Sequence, residues 1–168
     1  SCSMNLLVTG GAGFIGSHFV LRHCAQYPDD TVIVLDKLTY AADKTLLDPV
    51  IQRIRFIEGD IVDTVLVSEA IARYGIDAIV NFAAETHVDR SIKNATPFLY
   101  SNVLGVQSLI EAVKLAPQVL LLHISTDEVY GDQRDDEAPR KEDDALKPSS
   151  PYAASKASAE MLLHAAVR

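Results

Sequence analysis

The chain has 168 residues, enough for one domain with a real core and too few for two of ordinary size. An apolar share of 48% with 23% charged residues excludes wholesale disorder. With 15 basic against 23 acidic residues the net charge is −8, a poor match to the phosphate backbone of nucleic acid, and no apolar run nears the roughly 18–20 residues that span a bilayer.

In chain order, five short apolar runs read as strands: Asn5–Thr9, Thr31–Leu35, Ile54–Ile57, Ala78–Phe82 and Val119–Ile124. They are continuous rather than alternating, as a sheet covered on both faces requires. Helices are predicted over Phe14–Gln26, Val62–Tyr74, Pro97–Leu115 and Pro151–Val167, with Ala41–Val50 only partly helical. This alternation implies an α/β fold, a Rossmann-type doubly wound parallel sheet. The N-terminus lacks the charged and apolar regions of a secretory signal, and Met4 reads as a natural start. Cys2 and Cys24 lack CxxC or zinc spacing and suit free thiols in a reducing, cytoplasmic setting. The five histidines form no HxxxH or HExxH pattern, so no metal is expected.

The first strand runs into Gly10-Gly11-Ala12-Gly13-Phe14-Ile15-Gly16. Early glycines permit a tight turn, Gly13 lets backbone approach a pyrophosphate, and Gly16 lets the helix pack closely. The pyrophosphate then meets the positive helix N-terminus at Phe14 and Ile15. Asp36 ends the second strand, 20 residues past Gly16. A carboxylate there accepts ribose hydroxyls and repels a 2′-phosphate, which favours NAD over NADP. Asp60 and Ile61 follow the third strand and suit either an adenine pocket or a turn that caps the next helix.

Ser125-Thr126-Asp127-Glu128-Val129-Tyr130-Gly131 lies past the fifth strand, where open parallel sheets bind ligands. Adjacent carboxylates can serve as an acid and a base, or be a solvated pair. In Pro151-Tyr152-Ala153-Ala154-Ser155-Lys156, Tyr152 and Lys156 share a helix face at i and i+4. A nearby ammonium, with oxidised nicotinamide, makes a phenolate usable as a base. Between these motifs, 132–147 is mostly charged and reads as a solvated loop or a lid.

GGAGFIGSH (10–18), LDKLTYA (35–41), NFAAETHVDRSI (81–92), STDEVYG (125–131) and SPYAASKA (150–157) together resemble the extended short-chain dehydrogenase/reductase superfamily, and within it the dTDP-glucose 4,6-dehydratases. The Thr126-Asp127-Glu128 signature separates these from the related 4-epimerases; Ala42, where glycine is expected, is a minor departure. The resemblance implies NAD as cofactor and a nucleotide sugar as substrate, oxidised at C4, dehydrated across C5 and C6, and reduced at C6. It implies Tyr152 as C4 base, Lys156 on the nicotinamide ribose, Thr126 on the C4 oxygen, Glu128 as C5 base and Asp127 as acid to the C6 hydroxyl. Lys37, Thr39 and Ala83 line the cofactor cleft and Thr86 meets the substrate. Asn102 is a further substrate candidate or a structural helix asparagine. The resemblance also implies a homodimer through helices 97–115 and 151–167. In the family the chain continues for roughly as many residues again, so residues 1–168 are expected to be an incomplete NAD-binding domain whose nucleotide-sugar domain lies beyond Arg168. A UDP-sugar dehydratase, a 4-epimerase, a decarboxylase or a non-catalytic NAD-binding module are the alternatives.

Overall fold

Five parallel strands form one sheet in the computed structural model, which describes residues 3–167; the expectations for Cys2 and Arg168 lie outside the described residues. The strands are β1 (Asn5–Thr9), β2 (Thr31–Asp36), β3 (Ile54–Glu58), β4 (Ala78–Asn81) and β5 (Leu120–His123), in the order β3-β2-β1-β4-β5. The order reverses between β1 and β4, and such a switch point opens a crevice at the carboxyl ends of the strands. Register is continuous across it, with Thr9 opposite Asn81 and Asn81 opposite His123.

Alternate residues of the central strands enter two cores. Leu7, Ile33, Leu35 and Ile79 pack with Val67, Ile71 and Leu109, whereas Val8, Val32 and Val34 pack with Val20, Cys24 and Leu47. The first group meets α2 (Thr64–Tyr74) and the second meets α1 (Phe14–Gln26) and the 3-10 turn Lys44–Val50. Each fully buried aliphatic side chain contributes about 1.5–3 kcal/mol. Burial on both faces explains the continuous apolar runs of β1, β2 and β4. The expectation fails at β5, where Leu120 and Leu122 are 68% and 56% exposed. In the described residues β5 is the last strand of the sheet, and that face carries no covering element in this chain's core.

The helix expected over Pro97–Leu115 is three segments: α4 (Thr96–Leu99), a π-helical turn Tyr100–Leu104 and α5 (Gly105–Lys114), preceded by α3 (Val88–Lys93). A 3-10 turn, Asp127–Tyr130, and α6 (Pro151–Ala166) complete the chain. The chain divides into two compact units, one of residues up to 83 with 108–124, the other of residues 84–107 with those from 125 onward. No described helix is long and apolar enough to cross a membrane.

Candidate functional site

In the first unit the glycine turn is built by close backbone approach. Gly10 has a φ of +70°, and a Cβ there would lie 2.5 Å from the Ala83 nitrogen just past β4. A Cβ at Gly16 would stand 2.3 Å from the Gly10 carbonyl oxygen, so α1 packs against the turn only with glycine at this position. Gly13 caps α1 without a side-chain hydrogen bond, unlike Asp63 on α2 and Ser150 on α6, which both cap through side-chain oxygens. The first-turn N–H groups of α1 therefore have no side-chain acceptor, and such a helix start receives anions. Phe14 and Ile15 on that turn are 73% and 64% exposed.

Asp36 is buried at the end of β2, and its two oxygens accept hydrogen bonds from Ala12 N (3.0 Å) and Leu38 N (2.8 Å). Leu38 holds a φ of 55°, the single positive φ outside glycine among the described residues. The carboxylate thus clamps the glycine turn to the loop after β2. A carboxylate offers about four acceptor sites, so two remain for ribose hydroxyls. An uncapped helix start beside a buried carboxylate with acceptor capacity in reserve fits a dinucleotide. Lys37 and Asp60 approach to 3.5 Å in the same unit. Asp60 also accepts Val62 N in its own turn and keeps acceptor capacity, whereas the Ile61 side chain joins the core and offers an adenine only its main chain. Thr39 accepts Ala42 N through its carbonyl. Ala83 N donates to Asn81 Oδ1.

The second unit gathers all five proposed reacting residues. Thr126 caps the 3-10 turn that carries Asp127 and Glu128, its hydroxyl accepting Glu128 N at 3.3 Å. Both carboxylates are exposed, whereas Tyr152 and Lys156 on α6 are buried. Burial first, then the Glu128 charge, pushes the Tyr152 phenol above its ordinary value, with a smaller push from Asp127; a hydrogen bond with the Thr126 side chain pulls it back. Desolvation and the chain's own carboxylates thus act against the phenolate, which leaves the expected phenolate dependent on the oxidised nicotinamide. Burial pulls the Lys156 ammonium down to about 8, partly opposed by the charge of Glu160. Glu160 also accepts a hydrogen bond from the Ser125 hydroxyl, which ties the start of the Thr126–Glu128 segment to α6. A cavity of about 270 Å³ lies beside Glu128, lined by Val88, Ile92, Asp132, Ser149 and Ala153 among others.

Thr86 is exposed in the second unit, just after Glu85, whose backbone is held by Asn102. Asn102, in the π-turn, accepts Glu85 N (2.8 Å) and donates to Glu85 O (3.0 Å) and Ser155 Oγ (2.9 Å). Both of its amide protons are used in this clamp, and its oxygen keeps one acceptor position. Sequence reasoning missed a polar row at the strand ends, in which Thr9 Oγ1 donates to Asn81 Oδ1 (2.7 Å) and Asn81 Nδ2 meets His123 Nδ1 (3.0 Å). The signal was present as one polar residue closing each of the three strands. Ser91 and Ser155, which hold the Tyr152 backbone, were also missed, because a small residue inside a helix reads as packing.

A doubly wound parallel sheet, a glycine turn with a strand-end carboxylate, and a Tyr-x-x-x-Lys helix define a Rossmann-type protein of the short-chain dehydrogenase/reductase kind. The family profile described as GDP-mannose 4,6 dehydratase matches residues 7–167, and the chain belongs to that family. The chain is 52% identical over 166 residues to a dTDP-glucose 4,6-dehydratase of Mycobacterium tuberculosis, covering 98% of this chain and 49% of the relative. It is 44% identical over 165 residues to a trifunctional UDP-glucose 4,6-dehydratase/UDP-4-keto-6-deoxy-D-glucose 3,5-epimerase/UDP-4-keto-L-rhamnose-reductase of Arabidopsis thaliana, covering 96% of this chain and 25% of the relative. The crystal structure of DesIV, a dTDP-glucose 4,6-dehydratase of Streptomyces venezuelae solved with NAD bound, matches with a TM-score of 0.90 and 50% identity, over 96% of this chain and 51% of that one. The chain thus spans about half the length of the dTDP-glucose dehydratases it matches.

Proposed function

We propose that the protein carrying this chain is an NAD-dependent nucleotide-sugar 4,6-dehydratase that converts dTDP-glucose to dTDP-4-keto-6-deoxyglucose. The observation that carries this reading is the Thr126-Asp127-Glu128 turn in the same unit as Tyr152, close enough for both carboxylates to act on its phenol. A 4-epimerase needs no acid and base for water loss, so paired carboxylates at this phenol favour dehydration.

The residues that would hold NAD are the Gly10–Gly16 turn with Phe14 and Ile15, Asp36 at the ribose, and Lys37, Thr39, Asp60, Ile61 and Ala83 around it. NAD held there would supply the hydride acceptor for C4 oxidation and the hydride donor for C6 reduction. Tyr152 takes the C4 hydroxyl proton, and the Thr126 hydroxyl donates to the C4 oxygen as it becomes a carbonyl. Lys156, as ammonium, binds the nicotinamide ribose and favours the phenolate. The C4 ketone acidifies the C5 proton, which Glu128 removes. Asp127 gives its proton to the C6 hydroxyl, which leaves as water, and Glu128 later returns its proton to C5; Tyr152 then releases the C4 hydroxyl proton to solvent and Asp127 takes one up, so the cycle closes. The chain supplies the cofactor-binding part of this machine, and the nucleotide pocket falls to the half that the relatives have in addition. Thr86 contacts the sugar or its phosphate. Exposed Leu99, Tyr100, Leu104 and Met161 support a homodimer through helices 97–115 and 151–167. Cys24 is a buried free thiol pushed above its ordinary pKa by burial, which suits a reducing cytoplasm.

The full-length protein incubated with dTDP-glucose should yield the 4-keto-6-deoxy product, read by its absorbance in alkali. Absence of product overturns the reading. UDP-glucose in parallel tests the nucleotide, since the plant relative's name includes UDP-glucose dehydration. Calorimetric titration of residues 1–168 with NAD and with dTDP-glucose tests the division of labour: NAD binding alone is expected.

A further inference from the structure

We propose that Ser91 and Ser155 are positioning residues for Tyr152, gripping its main chain from both sides. This rests on the role assigned to Tyr152 above. Tyr152 N donates to Ser91 Oγ at 3.1 Å, and Ser155 Oγ donates to the Tyr152 carbonyl at 2.6 Å. Both serines are fully buried. Each hydroxyl is itself oriented: Ser91 donates to Val88 O (2.6 Å), and Ser155 accepts from Asn102 Nδ2 (2.9 Å). A hydroxyl has one proton, so these partners fix which way each serine faces.

The bonds close a ring. From Glu85 the path runs through Asn102 and Ser155 to the Tyr152 carbonyl, and from the Tyr152 N–H through Ser91 to Val88. Glu85 and Val88 flank Thr86 and His87, so one buried network holds both the backbone of the base and the segment that carries Thr86. Ser91 accepts the Tyr152 N–H, a donor that the first turn of α6 leaves without an intrahelical partner, whereas Ser155 meets no such need of the helix. Pro151 opens α6, Ser150 already caps it through Ala153 N, and a serine bonded back to the preceding turn slightly weakens a helix. Phe98 meets the Tyr152 ring edge-on at 6.4 Å and the Thr126 side chain hydrogen-bonds its phenol, while its main chain is fixed by hydrogen bonds at both ends. A general base misplaced by a fraction of an ångström loses rate rather than affinity.

The test uses the full-length protein with Ser91→Ala, Ser155→Ala and the double variant. Ser158→Ala is the control, because Ser158 also bonds back to the helix, at Ala154 O, but is exposed and touches no part of the ring. Expected is a fall in kcat of about 10- to 100-fold for each ring variant, with KM for dTDP-glucose and NAD affinity within about twofold. The double variant should lose less than the product of the singles, since both hold one peptide unit. Ser155→Cys and Ser91→Cys keep the volume and weaken the bond, and serve if the alanine variants do not fold. In protein labelled with 13C-tyrosine, the Tyr152 resonance should broaden in the ring variants and not in Ser158→Ala. A lowered melting temperature with unchanged kcat and an unchanged Tyr152 resonance overturns the proposal. If the wild-type protein does not turn over dTDP-glucose, the functional reading falls, and the resonance still decides the grip.

Discussion

At the scale of single residues, two buried charges do opposite things to stability. Asp36 accepts two main-chain N–H groups, and hydrogen bonds to a charged acceptor contribute about 1.5–3 kcal/mol each. Asn at this position keeps one oxygen and turns an NH₂ toward a second donor. Asp36→Asn should therefore lower the melting temperature without cofactor and weaken NAD binding at least tenfold by calorimetry; unchanged values for both would refute the clamp. Lys156 is the converse. Burial lowers its pKa to about 8 from the usual 10.5, so below pH 8 the folded state carries a penalised ammonium. Between about pH 8 and 10.5 the unfolded chain binds the proton that the folded chain has released, and folding stability rises with pH across that window. Lys156→Met removes the penalty. It should stabilise the fold by about 1–3 kcal/mol at pH 7 while abolishing turnover, and it should flatten the rise in stability above pH 8. A destabilised variant would sink this account. The glycine turn, Asp36 and the Tyr152–Lys156 pair were readable in the sequence because their chemistry is carried by residue type at fixed spacing. The phenol's raised pKa was not, since it depends on how deeply the ring is buried and then on where Glu128 and Asp127 come to rest.

At the scale of elements, α6 is a rail on which several groups are spaced by helical turns: Tyr152, Lys156 and Glu160 follow one another at i+4. Glu160 supports the Lys156 charge and accepts the Ser125 hydroxyl at once. Glu160→Gln keeps an acceptor for Ser125 and loses the charge. The Lys156 pKa should then fall below its present value of about 8, followed by NMR of 13C-labelled lysine, whereas Ser125→Ala should leave it in place. Equal shifts in the two variants would show that the charge of Glu160 is not what acts. Strand positions were legible to within a residue or two because β1, β2 and β4 are covered on both faces. The exposure of Leu120 and Leu122 was hidden, because a strand at the margin of a sheet keeps the residue types of an inner one. The π-turn Tyr100–Leu104 was hidden too. It accompanies a tertiary contact, Asn102 reaching back to Glu85, and nothing in helix propensity marks it.

At the scale of the whole molecule, the glycine turn and the proposed reacting groups belong to different compact units, and the charged segment 132–147 belongs to the second. Its neck is fastened: Lys147 N donates to Val129 O, Ser149 Oγ donates to Asp132 Oδ1, and Gly131 lies against the Lys147 carbonyl with a φ of +84° that a side chain would strain. Its tip is not. Arg134 and Arg140 pair with Asp136 and Glu137 across exposed ion pairs, which hold a loop weakly and are screened by salt. Trypsin should therefore cut first at Arg134, Arg140 or Lys141, ahead of Arg73 near the end of α2 in the first unit. Faster cutting at 0.5 M salt than at low salt, with trypsin itself controlled on a peptide, would identify the ion pairs as the restraint. Because the neck is closed by bonds on both sides of the cuts, the nicked chain should stay assembled in gel filtration. NAD affinity, for which Asp36 and the Gly10–Gly16 turn are the proposed cradle, should be unchanged. A first cut at Arg73 would mean that the first unit opens more readily than this loop, and loss of NAD binding on nicking would mean that the cradle depends on the second unit.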